Sequence, residues 1–262
     1  MQIWKVGCVA AAAWCAAAAS ALATDAGLDQ ASFDDRFEAS VTPYVWMAGM
    51  KAELQFGSRF PEVAVDQSFG QILDALQGAF MGAAEIRMGR IGLMSDVFYA
   101  RTILPVTTED ILYTGGSLEH DVTVMTLAAT LRAGEGPKGH IDLLAGLRTW
   151  WTHSDLEMDG RFKRFDVSRK VSDNWGHAIA GVSARHNLND RLFITSYLDV
   201  GGFNPGTEFS WQYIGTLGYA VGDKMEVAAG YRFLHFEHVD VDGLFTRKVN
   251  YSGPLLSSRM KY

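Results

Sequence analysis

The sequence predicts an all-β fold: a transmembrane antiparallel up-and-down β-barrel of about ten strands, with short periplasmic turns and long extracellular loops. Three observations carry this expectation. Segments of about ten residues alternate apolar and polar, as outer-membrane strands do, and in several the polar side bears full charges; residues 91–99, 141–151 and 191–200 are examples. The connections between segments alternate between short and long. After residue 23 no run reaches the roughly 20 apolar residues of a spanning helix. A soluble sheet turns its charges outward, whereas a barrel in lipid turns its apolar face outward and its charges into the lumen.

Residues 1–23 read as a secretory signal peptide. Lys5 supplies the positive start, 6–19 form an Ala-rich apolar stretch, and Ala21-Leu22-Ala23 fits the small-x-small cleavage rule, leaving Thr24 as the first mature residue. Both cysteines, Cys8 and Cys15, lie in this segment. A mature chain without Cys excludes a disulfide framework, a Cys-ligated zinc and a Cys nucleophile. Residues 24–36 are polar and acidic and read as a flexible periplasmic lead-in. The formal net charge is -7. With no basic cluster to neutralise phosphates, nucleic acid is not an expected partner.

The barrel domain is expected over 37–262. Its strands are expected near 37–48, 78–88, 91–102, 118–133, 139–152, 174–187, 191–201, 208–220, 225–238 and 249–262. Short turns fall at 88–90, 134–139, 187–190 and 221–224. They are rich in Gly, Asn and Asp, which accept the positive φ of tight hairpins. Longer connections fall at 49–77, 103–117, 153–173, 202–207 and 239–248. In the longest, 51–56 and 62–65 read as a hairpin extending the wall, and 69–76 as a short helical turn that either constricts the mouth or caps the rim.

Keeping the apolar residues of each strand on one face sends Val41, Val45, Ile86, Leu93, Leu127, Leu131, Leu143, Leu147, Ile194 and Leu217 to lipid. The opposite face collects a lumen charge network: Glu38, Glu85, Arg87, Asp96, Arg132, Asp142, Arg148, Arg185, Arg191, Asp199, Glu226 and Arg232. Acids and arginines are equal in number there. Equality matters because an unpaired charge in a narrow lumen is costly, and a planar guanidinium can bridge two carboxylates. A ten-stranded barrel is little wider than eight-stranded ones, whose interiors side chains fill. The lumen is therefore expected to be mostly plugged, also by Tyr44, Trp46, Trp150 and Phe193. Aromatic residues near strand ends suggest interfacial girdles: Tyr44, Trp46, Phe98, Tyr99, Trp150, Trp151, Trp175, Trp211, Tyr213, Tyr219, Phe233 and Tyr262.

Thr42-Pro43-Tyr44-Val45-Trp46 followed by Gly49 resembles the first strand of a group of uncharacterised proteobacterial outer-membrane β-barrel proteins. Residues 69–73, 89–93 with Asp96, 230–233 and 251–254 look similar to that group as well. The resemblance implies location and fold, and no substrate. The terminal Tyr262 fits the aromatic residue that the outer-membrane insertion machinery reads on a final strand. The implied partners are that machinery, outer-membrane lipid and lipopolysaccharide.

No catalytic, cofactor or metal site is expected. His153, Asp155 and Asp173 fall in one connection, and His235, Glu237, His238, Asp240 and Asp242 in another. Such groups can activate water, yet a solvated acidic rim accounts for them. Ser183 and His186 point to opposite faces of their strand, so they do not form a nucleophile–base pair. Asp240-Val241-Asp242-Gly243 lacks the remaining ligands of a calcium loop. The expected function is a non-enzymatic integral outer-membrane barrel, structural or a narrow channel. The alternatives are a surface-loop binding protein or adhesin, a rim hydrolase, and a soluble barrel binding a small ligand.

Overall fold

The structure is a computed structural model. It describes residues 37–56, 63–106, 113–160, 167–203, 208–239 and 245–262. The expected signal peptide and lead-in lie outside these residues, as do Asp240 and Asp242.

The described chain forms twelve strands and one helix: β1 (Phe37–Trp46), β2 (Gly49–Phe56), β3 (Val63–Gln67), α1 (Phe69–Ala75), β4 (Leu76–Met88), β5 (Ile91–Val106), β6 (Tyr113–Gly136), β7 (Gly139–Gly160), β8 (Val167–Asn187), β9 (Leu192–Gly201), β10 (Glu208–Ala220), β11 (Met225–Val239) and β12 (Phe245–Lys261). β1 and β4 to β12 pair with their neighbours, all antiparallel. β12 returns to β1, pairing Val41 with Met260 and Trp46 with Leu255. The result is a closed ten-stranded barrel. Among the described residues no helix is long and apolar enough to cross a membrane.

Closure follows from the two-residue period. On one face, Val41, Ile86, Leu93, Leu127, Leu131, Leu143, Leu147, Ile194 and Leu217 are exposed, the reverse of a water-soluble sheet. The other face is buried in the barrel. The tight turns use glycine where the backbone demands it. Gly89 has φ 56°, and Gly139 has φ 141° with no room for a Cβ against the Arg185 carbonyl.

β2 and β3 form a hairpin. β2 continues the line of β1 along β12, pairing Gly49 with Ser252, and β3 pairs on its far side. The expected extension is thus a real part of the wall over 51–56 and 63–65, with residue 62 outside the described residues. α1 begins at Ser68, which caps Gln71 N–H while the Gln71 side chain accepts from the Ser68 N–H. It packs against β2 and β5 and buries only Ala75. The helix is a rim element and does not enter the lumen.

The wall is taller than expected. β6, β7 and β8 run 24, 22 and 21 residues. At about 3.3 Å per residue and a tilt near 40°, β6 rises roughly 60 Å against an apolar band of about 25 Å. Residues 103–106, 113–117, 153–160 and 167–173 were expected as loops and are strand. β9 has only 10 residues, so the wall is high on one side and low on the other.

Candidate functional site

The lumen is the one place where charge and aromatic side chains concentrate, and it is layered. Two ionic groups line the end that carries the short turns. In the first, Arg87 donates to Glu85 at 2.8 Å and to Asp142 at 2.9 Å. Arg132 donates to the other Asp142 oxygen at 3.0 Å and to Glu135 at 3.0 Å, and Arg259 reaches Glu85 at 3.0 Å. In the second, both guanidinium nitrogens of Arg185 bind Glu226, which also accepts from Lys261. The Arg185 guanidinium lies 3.6 Å from the Phe193 ring centroid. Gly218 makes this possible, because a Cβ there would strike the Phe193 ring.

The middle layer crosses the barrel. Arg148 grips Asp199 with two parallel bonds of 2.8 and 2.5 Å, and both residues are 0% exposed. Such forked pairing satisfies both partners at once. Gln212 links Asp199 to Arg232, which donates to Asp96 and to the Tyr44 hydroxyl, each at 2.8 Å. Arg232 also lies 4.7 Å from the Trp46 ring centroid. It joins the ionic layers to the aromatic one.

The upper layer is dry. Trp150, 0% exposed, stacks on Trp175 at 5.7 Å and 4°, and Phe236 tilts against both. Trp46, Phe98 and Tyr251 form a second set with centroids 5.5 to 6.5 Å apart. Val122, Val124, Leu234, Val249 and Leu255 fill between them. Between the middle layer and the turns lies a cavity of about 200 Å³ lined by Thr42, Thr195, Thr216 and Ser257 along with Arg185 and Arg232. At about 30 Å³ per molecule it has room for roughly six waters.

Ten of the twelve expected lumen charges lie in these networks. Glu38 and Arg191 do not. Glu38 shares the inward phase of β1 but sits at its open end, exposed. Arg191 lies in the turn before β9, exposed, and donates to the Tyr219 hydroxyl. Periodicity assigns a face and says nothing of burial or partners, so it does not separate these two from the buried charges. The networks recruit Glu135, Arg259 and Lys261 instead. Arg259 and Lys261 occupy inward positions of β12, the phase of Leu255 and Ser257. Glu38→Ala and Arg191→Ala are expected to leave the urea midpoint of the micelle-held barrel unchanged, whereas Arg232→Ala lowers it clearly; equilibrium unfolding followed by tryptophan fluorescence checks this.

The aromatic girdle also needs correction. Tyr44, Trp46, Phe98, Trp150 and Trp175 face the lumen and pack there. Trp151, Tyr219, Phe233 and Tyr262 are exposed, joined by Phe37, Phe80, Phe209 and Tyr231. The two sets differ only in strand phase.

The two sets of rim groups meet where His238 Nε2 lies 3.7 Å from the Asp173 carboxylate, while His153, Asp155 and His235 take other partners. His153 and Asp155 stand on β7, and His235 and Glu237 on β11, with three strands between them in the wall. His153 Nδ1 contacts the Ser172 hydroxyl at 2.7 Å on the outer wall. Asp121 pairs opposite His153 in register, yet its carboxylate lies toward Arg101 at 3.7 Å. Asp155 binds Lys170 at 2.5 Å, and this bond and charge raise the lysine pKa above its ordinary value. His235 meets Asn250 and Glu237, while His238 stacks on Trp175 within the lumen. Among the described residues no group of three or more His, Cys, Asp or Glu is placed to hold a metal ion.

No family model and no curated protein matches the chain. Solved structures do. The outer membrane protease OmpT from Escherichia coli aligns with a TM-score of 0.56 at 8% identity, covering 90% of this chain and 100% of that one. The transport unit of the autotransporter AIDA-I from Escherichia coli aligns at 0.44 and 8%, covering 89% and 91%. Ail, the attachment invasion locus protein of Yersinia pestis, aligns at 0.38 and 9%, covering 87% and 100%. The likeness to OmpT is one of fold. This chain has the fold of an outer-membrane β-barrel.

Proposed function

We propose that this chain is an integral outer-membrane protein whose barrel is sealed by its own side chains and is non-enzymatic, a structural scaffold for the tall wall on its long-loop side. The observation that supports sealing is an aromatic layer centred on the fully buried Trp150, above a fully buried Arg148–Asp199 pair. A solute crossing the lumen must break both. The non-enzymatic part is supported by the separate partners of the rim groups, His153 on Ser172, Asp155 on Lys170 and His235 on Asn250, while His177 with Ser210 and His238 beside Asp173 are packed among the side chains that fill the barrel.

The experiment is permeability of liposomes reconstituted with the protein. Swelling in small sugars at the rate of protein-free liposomes is expected. Rapid swelling would replace the scaffold with the narrow channel. Carbonate extraction and gel mobility with and without boiling test location separately. Retention in the membrane and a boiling-dependent shift are expected of a closed barrel in lipid.

A second reading, surface binding, is favoured by the outer wall above Trp151. Arg101, Glu119, Asp121, His153, Asp155 and Lys170 interleave opposite charges there, and Arg101 pairs with Glu119. Deleting the β2–β3 hairpin and shortening β7 and β8 would abolish attachment to host or envelope surfaces if this reading holds, and leave it unchanged if it does not.

A further inference from the structure

The wall has a window. The ladder between β1 and β4 ends at Pro43–Gly82. Above that point β1 stays with β12 through Trp46. β4 continues to Leu76, paired with β5 alone. Pairing resumes only where Met50 meets Gln67 in the β2–β3 hairpin, with α1 beside it. The unpaired stretch is Leu76–Met81 facing Tyr44–Ala48, about 20 Å at the usual strand rise.

This window lies at the level of the lipid-facing band. Val45 and Phe80 stand on its two edges, pointing outward and exposed. Phe80 pairs with Tyr99, at the outer end of the apolar face of β5. In hydrocarbon every backbone polar group needs a partner, so spanning structures close their edges. Here the Trp46 N–H takes the Met81 thioether at 3.2 Å in place of a carbonyl. A methionine sulfur is a weak acceptor on a flexible, readily repacked side chain. Met81 fills the gap and is a yielding stopper. Directly inside are aromatic and aliphatic side chains, Trp46, Phe98, Tyr251, Met50 and Leu76, with Arg232 on the far side of the Trp46 ring. The charged layers lie below and block onward passage.

We propose that the window is a lateral binding site for one acyl chain of an outer-leaflet lipid, which displaces Met81 and lies against the Trp46–Phe98–Tyr251 cluster. The acyl chain is the occupant because the outer edges of the window are continuous with the lipid-facing surface, so hydrocarbon is the medium at its mouth. The proposal rests on the outer-membrane reading above.

The test is metabolic replacement of methionine by photo-methionine in cells making the full chain. Membranes are irradiated, and peptide mass spectrometry locates lipid adducts. Met88 and Met225 are exposed on the outer face and report the bilayer itself. Met94 packs inward against Ala128, Leu144 and Ile179 and reports a closed interior. Lipid adducts at Met81 comparable to those at Met88, with Met94 at background, are expected. Met81 silent like Met94, or carrying only intramolecular crosslinks to the Trp46 region, overturns the window. Met88 and Met225 both silent would instead sink the outer-membrane reading.

Discussion

Arg148→Met is expected to lower the unfolding free energy by about 3–5 kcal/mol, the cost of leaving a buried charge without its partner. Asp199 is 0% exposed, and its two oxygens are held by the Arg148 fork at 2.8 and 2.5 Å. Gln212, at 3.4 Å, is too distant and neutral to replace it. The double variant Arg148→Met/Asp199→Leu is expected to regain most of the loss, since apolar residues of similar volume often replace a buried ion pair without penalty. The coupling between the two single variants is then large, as for residues in one network. Urea titration of the refolded barrel in micelles measures all three. Single and double variants of equal stability would mean that the pair is hydrated and not a seal.

Trp150→Ala is the second large effect, about 3–5 kcal/mol for an aromatic removed from a packed core. Trp150 is 0% exposed, stacked on Trp175 and 4.3 Å from Phe236. Its indole N–H finds no acceptor among the described residues. Trp150→Phe is therefore expected to cost far less than Trp150→Ala, because it keeps ring contact and removes a buried donor that satisfies nothing. Equal losses for Phe and Ala would show that the indole nitrogen is bonded. Neither variant should conduct, since the ionic layers beneath remain shut.

The sequence carried the fold through alternation. Leu143, Leu147 and Arg148 read as lipid, lipid and lumen from their spacing alone, and the structure exposes the first two and buries the third. The signal fades where lipid ends. Above Trp151 both wall faces meet water, so His153 and Asp155 show no apolar partner face, and strands continuing through them looked like loops. Burial was also hidden. Glu38 and Arg87 share one register pair and hence one height, yet Arg87 is buried because it reaches Glu85 and Asp142, and Glu38 stays exposed. Tyr44, Trp46, Trp150 and Phe193 fill the lumen as their strand phase implies, and the girdle expectation fails only where it ignores phase, at Phe98 and Trp175 and in counting Tyr44, Trp46 and Trp150 a second time. The window was beyond reach, because a ladder that stops at Pro43 is a property of two distant segments. Pro43 hinted at it, as proline cannot donate to a ladder.

Single-channel recording in planar bilayers tests the sealed lumen most directly. Purified protein that inserts, as judged by its boiling-sensitive gel mobility, is expected to give no conductance steps at any holding potential up to membrane breakdown. Stable ohmic steps from the wild-type barrel would contradict the account, since no ion passes Trp150 and the Arg148–Asp199 pair without dismantling both.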